Sequence, residues 1–351
     1  MNEPVRGLTV ARSVAETQFP ASTNSKPSFL RGCIRIYLSV HRCIWRHLPA
    51  FVRSLSFGRA HGEHLHRVVC RYGDRKQNHS TFFMRNRPEL ELMCQLLKQK
   101  PSGALVNISV IACSKGAEVY SFLRAIRSAR PDLRINLRAV DISQEIIDFA
   151  ANGIYSHNGT AETNAINREL PAQKGDVTWK DQPVSMFERM TAQEVSEMFD
   201  MDGDQARIRP WLKEGITWVR GDATDPQLAG VLGLQDLVVA NRFLCHMEPT
   251  AAEGCLRKIV QLVKPGGYLF VSGVDLDVRA KVARDLNWRP VTDMIREVHE
   301  GDPSLTQSWP LYYWGLEPFC KDQPNWRIRY ASVFQIGSTP LLSGSPNSHA
   351  A

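Results

Sequence analysis

The chain has 351 residues, of which 43% are hydrophobic and 23% are charged, and its net charge is +7. These proportions are typical of a soluble globular protein with a sizeable core, and they exclude a fibrous or fully disordered chain. No run of 18 uncharged apolar residues occurs, which argues against a membrane-spanning helix.

The positive charge is concentrated near the N-terminus. Residues 1–80 contain 13 Lys and Arg against 4 Asp and Glu, whereas the remaining residues contain 30 against 32. A nearly neutral body therefore carries a basic N-terminal arm. Residues 1–30 are rich in Ser, Thr, Pro and Asn without hydrophobic periodicity, and we expect them to be disordered.

Residues 31–77 are predicted to form a basic helical arm. Ile34, Leu38 and Trp45 recur at helical spacing among several arginines. Such a helix either packs on the main domain or contacts a partner protein or an anionic membrane surface, and nucleic acid is the least favoured partner because no stacking aromatics are interleaved. The stretch HGEHLH at 61–66 has groups that suit zinc, but it predicts a polar loop rather than a metal site.

The eight cysteines form no C-x-x-C pair and no regular framework. The start of the chain also lacks the pattern of a secretory signal. Together these features predict reduced thiols, no metal centre and a cytoplasmic location.

Residues 78–337 alternate between helical and strand patterns. Strands separated by helices predict a Rossmann-like, doubly wound α/β sheet that is mostly parallel, with a late antiparallel edge strand. Residues 338–351 are predicted to be a flexible tail. In chain order we predict a helix at 88–100, a strand at 107–113, a helix at 116–129, a strand at 134–143, a helix at 144–155 that ends at Gly153, strands at 216–223 and 236–243, a helix at 249–263, a turn at 264–267, and strands at 268–276 and 326–337.

The first strand ends in Cys113-Ser114-Lys115-Gly116, and the next helix follows at once. In such sheets ligands bind beyond the carboxyl ends of the strands. A single glycine, Gly116, and an acid, Glu118, on the first helical turn disfavour a pyrophosphate and favour a cofactor with a charged amino-acid end. The alternative is that Cys113 is a nucleophile with His246 as its base, although a free cysteine is commonly a small buried residue.

Polar residues end the next strands as well. Asp141 lies 25 residues after Gly116, a position from which a carboxylate can accept hydrogen bonds from the two hydroxyls of a ribose. The other interpretation is a helix cap, a role that Ser143 can take instead. Asp222 can reach an adenine amino group from the third strand.

The fourth strand ends in Asn241-Arg242, and His246 follows one turn later. Polar residues that follow an apolar strand are typical of the rim of a site. His246 could act as a base or pack on the cofactor, and Arg85 or Arg242 could hold an acidic substrate through two hydrogen bonds.

These segments together resemble the chemotaxis-receptor (CheR-type) methyltransferases. The resemblance covers about residues 78–275 and is specific because the motifs occur jointly and in order. They are NHSTFFMR at 78–85, CSKGAEVYS at 113–121, AVDIS at 139–143, MFDMDGDQARIRPWLKEGITWV at 198–219, DLVVANRFLCHME at 236–248 and LVKPGGYLFVSG at 262–273.

The resemblance implies S-adenosylmethionine as the cofactor. Beside the loop residues Cys113 and Gly116, it implies cofactor contacts from Asn78, Ser80, Glu118, Asp141, Asp222, Ala223, Asn241 and Arg242. The chain departs from the family at several places, among them the loop, where Lys115, Ala117 and Val119 replace Thr, Glu and Pro. Asn241-Arg242 reverses the family's Arg-Asn pair, His246 replaces a tyrosine, and Met84 displaces the family's arginine to Arg85.

The predicted function is therefore methyl transfer from S-adenosylmethionine to an acceptor, with a protein carboxylate as one candidate, as in protein-glutamate O-methyltransferases. Methyl transfer mainly requires alignment of the nucleophile, the methyl group and the leaving sulfur. The alternative function is a non-catalytic module that binds S-adenosylmethionine or docks a signalling partner. A nicotinamide-dependent enzyme is disfavoured by the single-glycine loop.

Overall fold

The computed structural model describes residues 28–73, 75, 79–158 and 185–337. The chain divides into two compact units, with the boundary between Leu55 and Ser56. Most of the segment predicted to be disordered, the predicted tail 338–351 and the predicted site residue Asn78 lie outside the described residues. Among the helices of the described ranges, none is both long and apolar enough to cross a membrane.

The smaller unit contains two helices of the predicted arm, α1 (Ser28–His47) and α2 (Ala50–Ser54), which Pro49 separates. Helix α1 leaves apolar side chains exposed at Ile36, Val40 and Ile44, which recur every four residues along one face. The contact of this arm with a partner protein or an anionic membrane surface stays a prediction.

The HGEHLH stretch is not a loop, because it lies within helix α3 (Ser56–Tyr72) of the larger unit. Leu65 and Val69 lie one helical turn apart and are buried, so this helix has an apolar face that the surrounding histidines obscure in the sequence. In the described ranges, no three His, Cys, Asp or Glu side chains are grouped so that they could hold a metal ion.

The larger unit contains ten strands and eleven further helices among its described residues. The strands are β1 (Leu105–Ile111), β2 (Arg134–Asp141), β3 (Ile154–Ser156), β4 (Phe199–Asp202), β5 (Gln205–Ile208), β6 (Ile216–Arg220), β7 (Gln235–Val239), β8 (Val263–Phe270), β9 (Arg289–Pro290) and β10 (Val333–Gln335). The helices are α4 (Arg87–Leu97), α5 (Ala117–Ala129), α6 (Gln144–Asn152), α7 (Ala192–Met198), α8 (Pro210–Lys213), α9 (Leu228–Leu232), α10 (Pro249–Ile259), α11 (Leu276–Asp285), α12 (Ile295–Glu300), α13 (Pro303–Thr306) and α14 (Trp326–Tyr330).

Seven strands form the main sheet in the order β6-β2-β1-β7-β8-β10-β9. Strands β6, β2, β1, β7 and β8 are parallel, and β10 pairs antiparallel with both β8 and β9. Along the chain, β1, β2 and β6 follow one another toward one edge of the sheet, and β7 and β8 follow one another toward the other edge. The direction in which strands are added therefore reverses between β1 and β7. This arrangement confirms the predicted doubly wound sheet and places the ligand edge beyond β1 and β7.

The sheet is buried on both faces. Val106, Ile108 and Val110 of β1 point into one apolar core, which also contains residues of α4 and α5. Ile111 and residues of α10 and α11 belong to a second core. Continuous apolar strands of this kind are expected where helices cover both faces of a parallel sheet.

Three parts of the fold differ from the sequence prediction. A small antiparallel sheet, β3-β5-β4, follows α6 and was not predicted. The strand predicted at 326–337 is wrong in its first half, because Trp326–Tyr330 is α14 and pairing begins only at β10. The turn predicted at 264–267 lies within β8, where a register shift in the pairing with β7 absorbs it.

Gly116 begins α5 with a φ of 81°, in the left-handed region. A Cβ at this position would lie 3.1 Å from the Ala150 Cβ and 3.1 Å from the Trp218 ring. Both the backbone angle and the close packing therefore require glycine here.

We expect Gly116→Ala to lower the free energy of unfolding by about 2–4 kcal/mol, from the left-handed backbone and the overpacking together. Urea unfolding followed by circular dichroism measures the change. The matched control is Gly230→Ala in α9, where no atom lies within 4 Å of an added Cβ, and where alanine favours the helix. Equal midpoints for wild type and Gly116→Ala would contradict the packing argument.

Candidate functional site

The loop after β1 is held by backbone contacts to the end of β2. Ala112 and Ser114 both have positive φ angles, of 55° and 49°. The Cys113 N–H donates to the Val140 carbonyl at 2.9 Å, and the Ser114 N–H donates to the Asp141 carboxylate at 2.9 Å. The loop is therefore shaped by its neighbouring strand, and it bends twice within three residues.

Cys113 is not arranged as a nucleophile. Its side chain is buried in the core, and burial together with the nearby Asp141 carboxylate raises the pKa of its thiol well above the usual value. A thiolate is therefore disfavoured at this position. Cys113 takes part in the loop through its backbone N–H, which bonds to Val140, and not through its thiol.

Asp141 ends β2 with a buried carboxylate that faces the loop. One oxygen accepts from the Ser114 N–H, and the other accepts from the Ser143 N–H at 3.1 Å. Ser143 caps α6 by accepting from the Ile146 N–H, so the alternative interpretation of Asp141 as the helix cap is wrong. Each Asp141 oxygen retains a lone pair, so the carboxylate can still accept the two hydroxyls of a ribose.

The end of β6 lies beside Asp141. The Gly221 N–H donates to the Asp141 carbonyl at 2.9 Å, and Asp222 follows immediately. The Asp222 carboxylate accepts from the N–H and the hydroxyl of Thr224, and Ala223 lies inside this turn. The structure thus brings two predicted cofactor residues next to the predicted ribose site.

The segment before α4 closes the loop from another side. The Ser114 hydroxyl donates to the His79 carbonyl at 3.1 Å, and an Arg85 Nη donates to the Ser80 carbonyl at 2.7 Å. Ser80 itself is exposed. The predicted Ser80 position is therefore beside the β1 loop.

Met84 determines where Arg85 points. Its backbone has a φ of 53°, its N–H donates to the Ser121 hydroxyl, and its side chain packs in the core. The next residue, Arg85, is thereby turned inward and is 7% exposed. Its Nε has no hydrogen-bond partner among the described residues. Burial and the nearby Arg242 lower the pKa of Arg85.

Asn241 connects two strands and two carboxylates. Its side-chain carbonyl accepts from both the N–H and the hydroxyl of Ser272, which follows β8. Its amide nitrogen therefore faces the other way and donates to Glu89 at 2.8 Å and to Glu118 at 3.2 Å. One amide thus holds two carboxylates close together.

The two carboxylates differ from ordinary surface acids. Burial, with Glu118 nearby, raises the pKa of Glu89 to about 8. Burial also raises the pKa of Glu118, against the effect of Arg85. At neutral pH the Glu89 carboxyl is therefore mostly protonated.

Arg242 is anchored by the C-terminal part of the chain. Its φ is 65°, and its guanidinium lies 3.0 Å from the Asp302 carboxylate, just before α13. Arg189 contacts the other oxygen of Asp302 at 3.0 Å and also donates to the Arg85 carbonyl. This ion cluster fixes residues after β9 against the end of β7.

His246 is half-buried and makes a second contact with the C-terminal part of the chain. Its Nδ1 lies 2.8 Å from the Tyr313 hydroxyl, and Arg75 stacks on the same tyrosine ring at 5.3 Å. Burial, followed by the charges of Arg242 and Arg75, lowers the pKa of His246 to about 4. The imidazole is therefore neutral and weakly basic at physiological pH.

The predicted residues converge at one edge of the sheet, with Asn78 outside the described residues. Sequence reasoning missed Glu89, Arg189, Asp302 and Tyr313. Glu89 follows the helix cap Asn86 by three residues, which is the usual pattern of a capping acid rather than of a site residue. Asp302 and Tyr313 come from a segment with no motif.

Two family models match the chain. The SAM-binding domain of the CheR methyltransferases matches residues 78–177, and a general methyltransferase domain matches residues 184–271. The two matched ranges overlap all six sequence motifs that carry the resemblance, in both halves of the sheet.

A relative and two solved structures are similar to the chain. An uncharacterized 104.1 kDa protein of Rhodobacter capsulatus is 27% identical over 191 residues, which cover 53% of this chain and 17% of that protein. Magnesium protoporphyrin IX methyltransferase from Synechocystis PCC 6803, solved with bound SAM, is 14% identical with a TM-score of 0.32, over 77% of this chain and 90% of that one. An O-methyltransferase family protein from Burkholderia thailandensis is 13% identical with a TM-score of 0.32, over 90% and 74%.

The site fits S-adenosylmethionine. Asp141 has free acceptor capacity, and the buried Arg85 Nε and Glu89 Oε2 both lack a partner among the described residues. A donor and a carboxyl oxygen that both lack a partner suit the two polar ends of an amino acid. Residues 78–177 match the CheR SAM-binding domain, and the cofactor of the chain is S-adenosylmethionine.

Proposed function

We propose that the chain transfers the methyl group of S-adenosylmethionine to a carboxylate of a protein acceptor. The observation that carries this acceptor class is the weakly basic His246, whose pKa is about 4. A carboxylate is already ionised at neutral pH and attacks without losing a proton, whereas an amine or a hydroxyl needs a base.

When bound, the cofactor supplies a methyl group on a positively charged sulfur. Transfer forms a bond from the acceptor oxygen to the methyl carbon and breaks the carbon–sulfur bond, whose electron pair stays on the sulfur. The protein has to align these three atoms and exclude water. Asp141 and Asn241 lie at the ends of β2 and β7 and are suited to hold the cofactor from two sides.

The charges around His246 favour an anionic acceptor. Burial lowers the pKa of His246 most, and the charges of Arg242 and Arg75 lower it further, so positive charges lie near this position. A carboxylate gains from the same potential that disfavours a protonated imidazole. A cationic amine would be repelled there.

A non-catalytic binding module is the second candidate. The contact of Tyr313 with His246 and the double ion pair of Asp302 favour it, because both place the C-terminal segment beside the end of β7. Such a module would bind the cofactor without turnover. Measurements of binding and of turnover therefore separate the two candidates.

Replacement of Asp141 by Asn is expected to weaken binding of S-adenosylhomocysteine by about 10- to 100-fold, because hydrogen bonds to the ionised carboxylate are lost. Isothermal titration calorimetry measures the affinity, with NAD as the control ligand. The control variant is Asp148→Asn on α6, whose exposed side chain accepts a hydrogen bond from Gln144. Unchanged affinity in Asp141→Asn would contradict the ribose role.

The labelled methyl group is expected to appear in protein as a base-labile product. We would incubate tritiated cofactor with cell proteins and measure volatile methanol after mild alkali, which cleaves methyl esters but not N-methyl groups. At saturating cofactor, His246→Gln should retain transfer within about threefold, since general-base catalysis is typically worth 10²-fold or more. A base-stable label, or a loss of 10²-fold, would contradict a carboxylate acceptor.

A further inference from the structure

Helix α1 has two apolar faces, and only one of them is packed. Leu38 and Trp45 are buried and lie seven residues apart, which is two helical turns, so they share one face. Ile36, Val40 and Ile44 are exposed and form a stripe on a different face, and Ile36 is 68% exposed. The exposed stripe is therefore not the face by which α1 packs.

Helix α2 also exposes apolar side chains. Phe51, which is 69% exposed, lies four residues before the exposed Leu55 that ends this helix. The Arg53 guanidinium lies 6.0 Å from the centre of the Trp45 ring, so α2 contacts the packed face of α1. Because that contact uses the packed face, it leaves the stripe uncovered.

The exposed apolar side chains are concentrated in these two helices. Eleven large hydrophobic side chains are exposed among the described residues, and five of them lie at 36–55. Single exposed apolar residues are ordinary on a protein surface, whereas a concentration of them marks an interaction surface. We call these five the exposed apolar set: Ile36, Val40, Ile44, Phe51 and Leu55.

The charge of the same segment is wholly positive. Residues 32–55 contain four Arg and no Lys, Asp or Glu. Arg35 and Arg46 are exposed and lie eleven residues apart, about three helical turns, so they project from one side of α1, between the packed face and the stripe. A layer of anionic lipid headgroups supplies negative charge everywhere, so it needs no match to the position of each arginine.

We propose that α1 and α2 bind an anionic membrane surface. The exposed apolar set enters the boundary between headgroups and acyl chains, and the long side chains of Arg35 and Arg46 reach the lipid phosphates. Apolar contact and charge act together, because neither alone holds a short helical segment firmly on a bilayer. The inference goes beyond the proposed function and does not depend on the methyl acceptor.

Sedimentation of the full chain with sucrose-loaded vesicles tests the proposal. Vesicles of phosphatidylcholine with about 30% phosphatidylserine should bind the chain at least about tenfold more tightly than vesicles of phosphatidylcholine alone. Raising the salt concentration from about 0.1 M to about 0.5 M should remove most of this difference, because the headgroup charge is then screened. Equal binding to both kinds of vesicle, or no binding to either, would overturn the proposal and leave the surface to a protein partner.

Two double variants separate the apolar and the charged contributions. Ile36→Gln with Ile44→Gln should weaken binding to the phosphatidylserine vesicles by about tenfold or more at unchanged charge. Arg35→Gln with Arg46→Gln should also weaken it by about tenfold or more, since each arginine near such a surface contributes about fivefold. All four side chains are exposed or partly exposed in the free chain, so we expect both variants to fold, and circular dichroism checks this.

Matched controls carry the same changes elsewhere on the larger unit. Val231→Gln with Leu234→Gln replaces exposed apolar side chains, and Arg284→Gln with Arg289→Gln replaces exposed arginines. Both controls should bind vesicles as wild type does. Equal losses in the controls, or full binding by the α1 variants, would contradict a role for this surface. Loss of S-adenosylhomocysteine binding in wild type would overturn the proposed function and leave this inference standing.

Discussion

The orientation of the Asn241 amide is the constraint on which the site depends. Ser272 donates twice to its carbonyl oxygen, and this leaves the amide nitrogen to face the ligand edge. Because β7 and β8 are paired in parallel, these two residues follow their strands side by side. Helices α4 and α5 then bring Glu89 and Glu118 to the same amide nitrogen. The sheet register thus places two acids from different helices within reach of one ligand group.

Two buried carboxylates of the site differ in whether their oxygens have hydrogen-bond or ion-pair partners. Asp302 is buried but satisfied, since two guanidinium groups and the Ser304 N–H contact its carboxylate. Glu89 is equally buried and keeps one oxygen unpaired. A folded chain tolerates an unpaired buried oxygen where function compensates for its cost. The site thus contains one buried carboxylate with every oxygen paired, Asp302, and one with an unpaired oxygen, Glu89.

The alternation of strands and helices and the polar strand ends could be predicted because local patterns determine them. Asp141 and Asn241 each end an apolar run, and parallel strands present such residues at one edge. Glu89 could not be predicted, since its spacing from Asn86 matches a helix cap. The inward turn of Arg85 depends on a left-handed backbone at Met84, which methionine rarely adopts. Contacts over long sequence separation, as between Arg242 and Asp302, leave no periodic signal.

The two halves of the site differ in how far the family resemblance explains them. The family models match residues 78–177 and 184–271, which contain the predicted cofactor contacts. Asp302 and Tyr313 lie beyond both matches, yet they contact Arg242 and His246 beside the end of β7. Tyr313 is also buried, so it helps to desolvate the imidazole whose pKa falls to about 4. The C-terminal segment thus contributes to the weak basicity of His246, on which the proposed carboxylate acceptor rests.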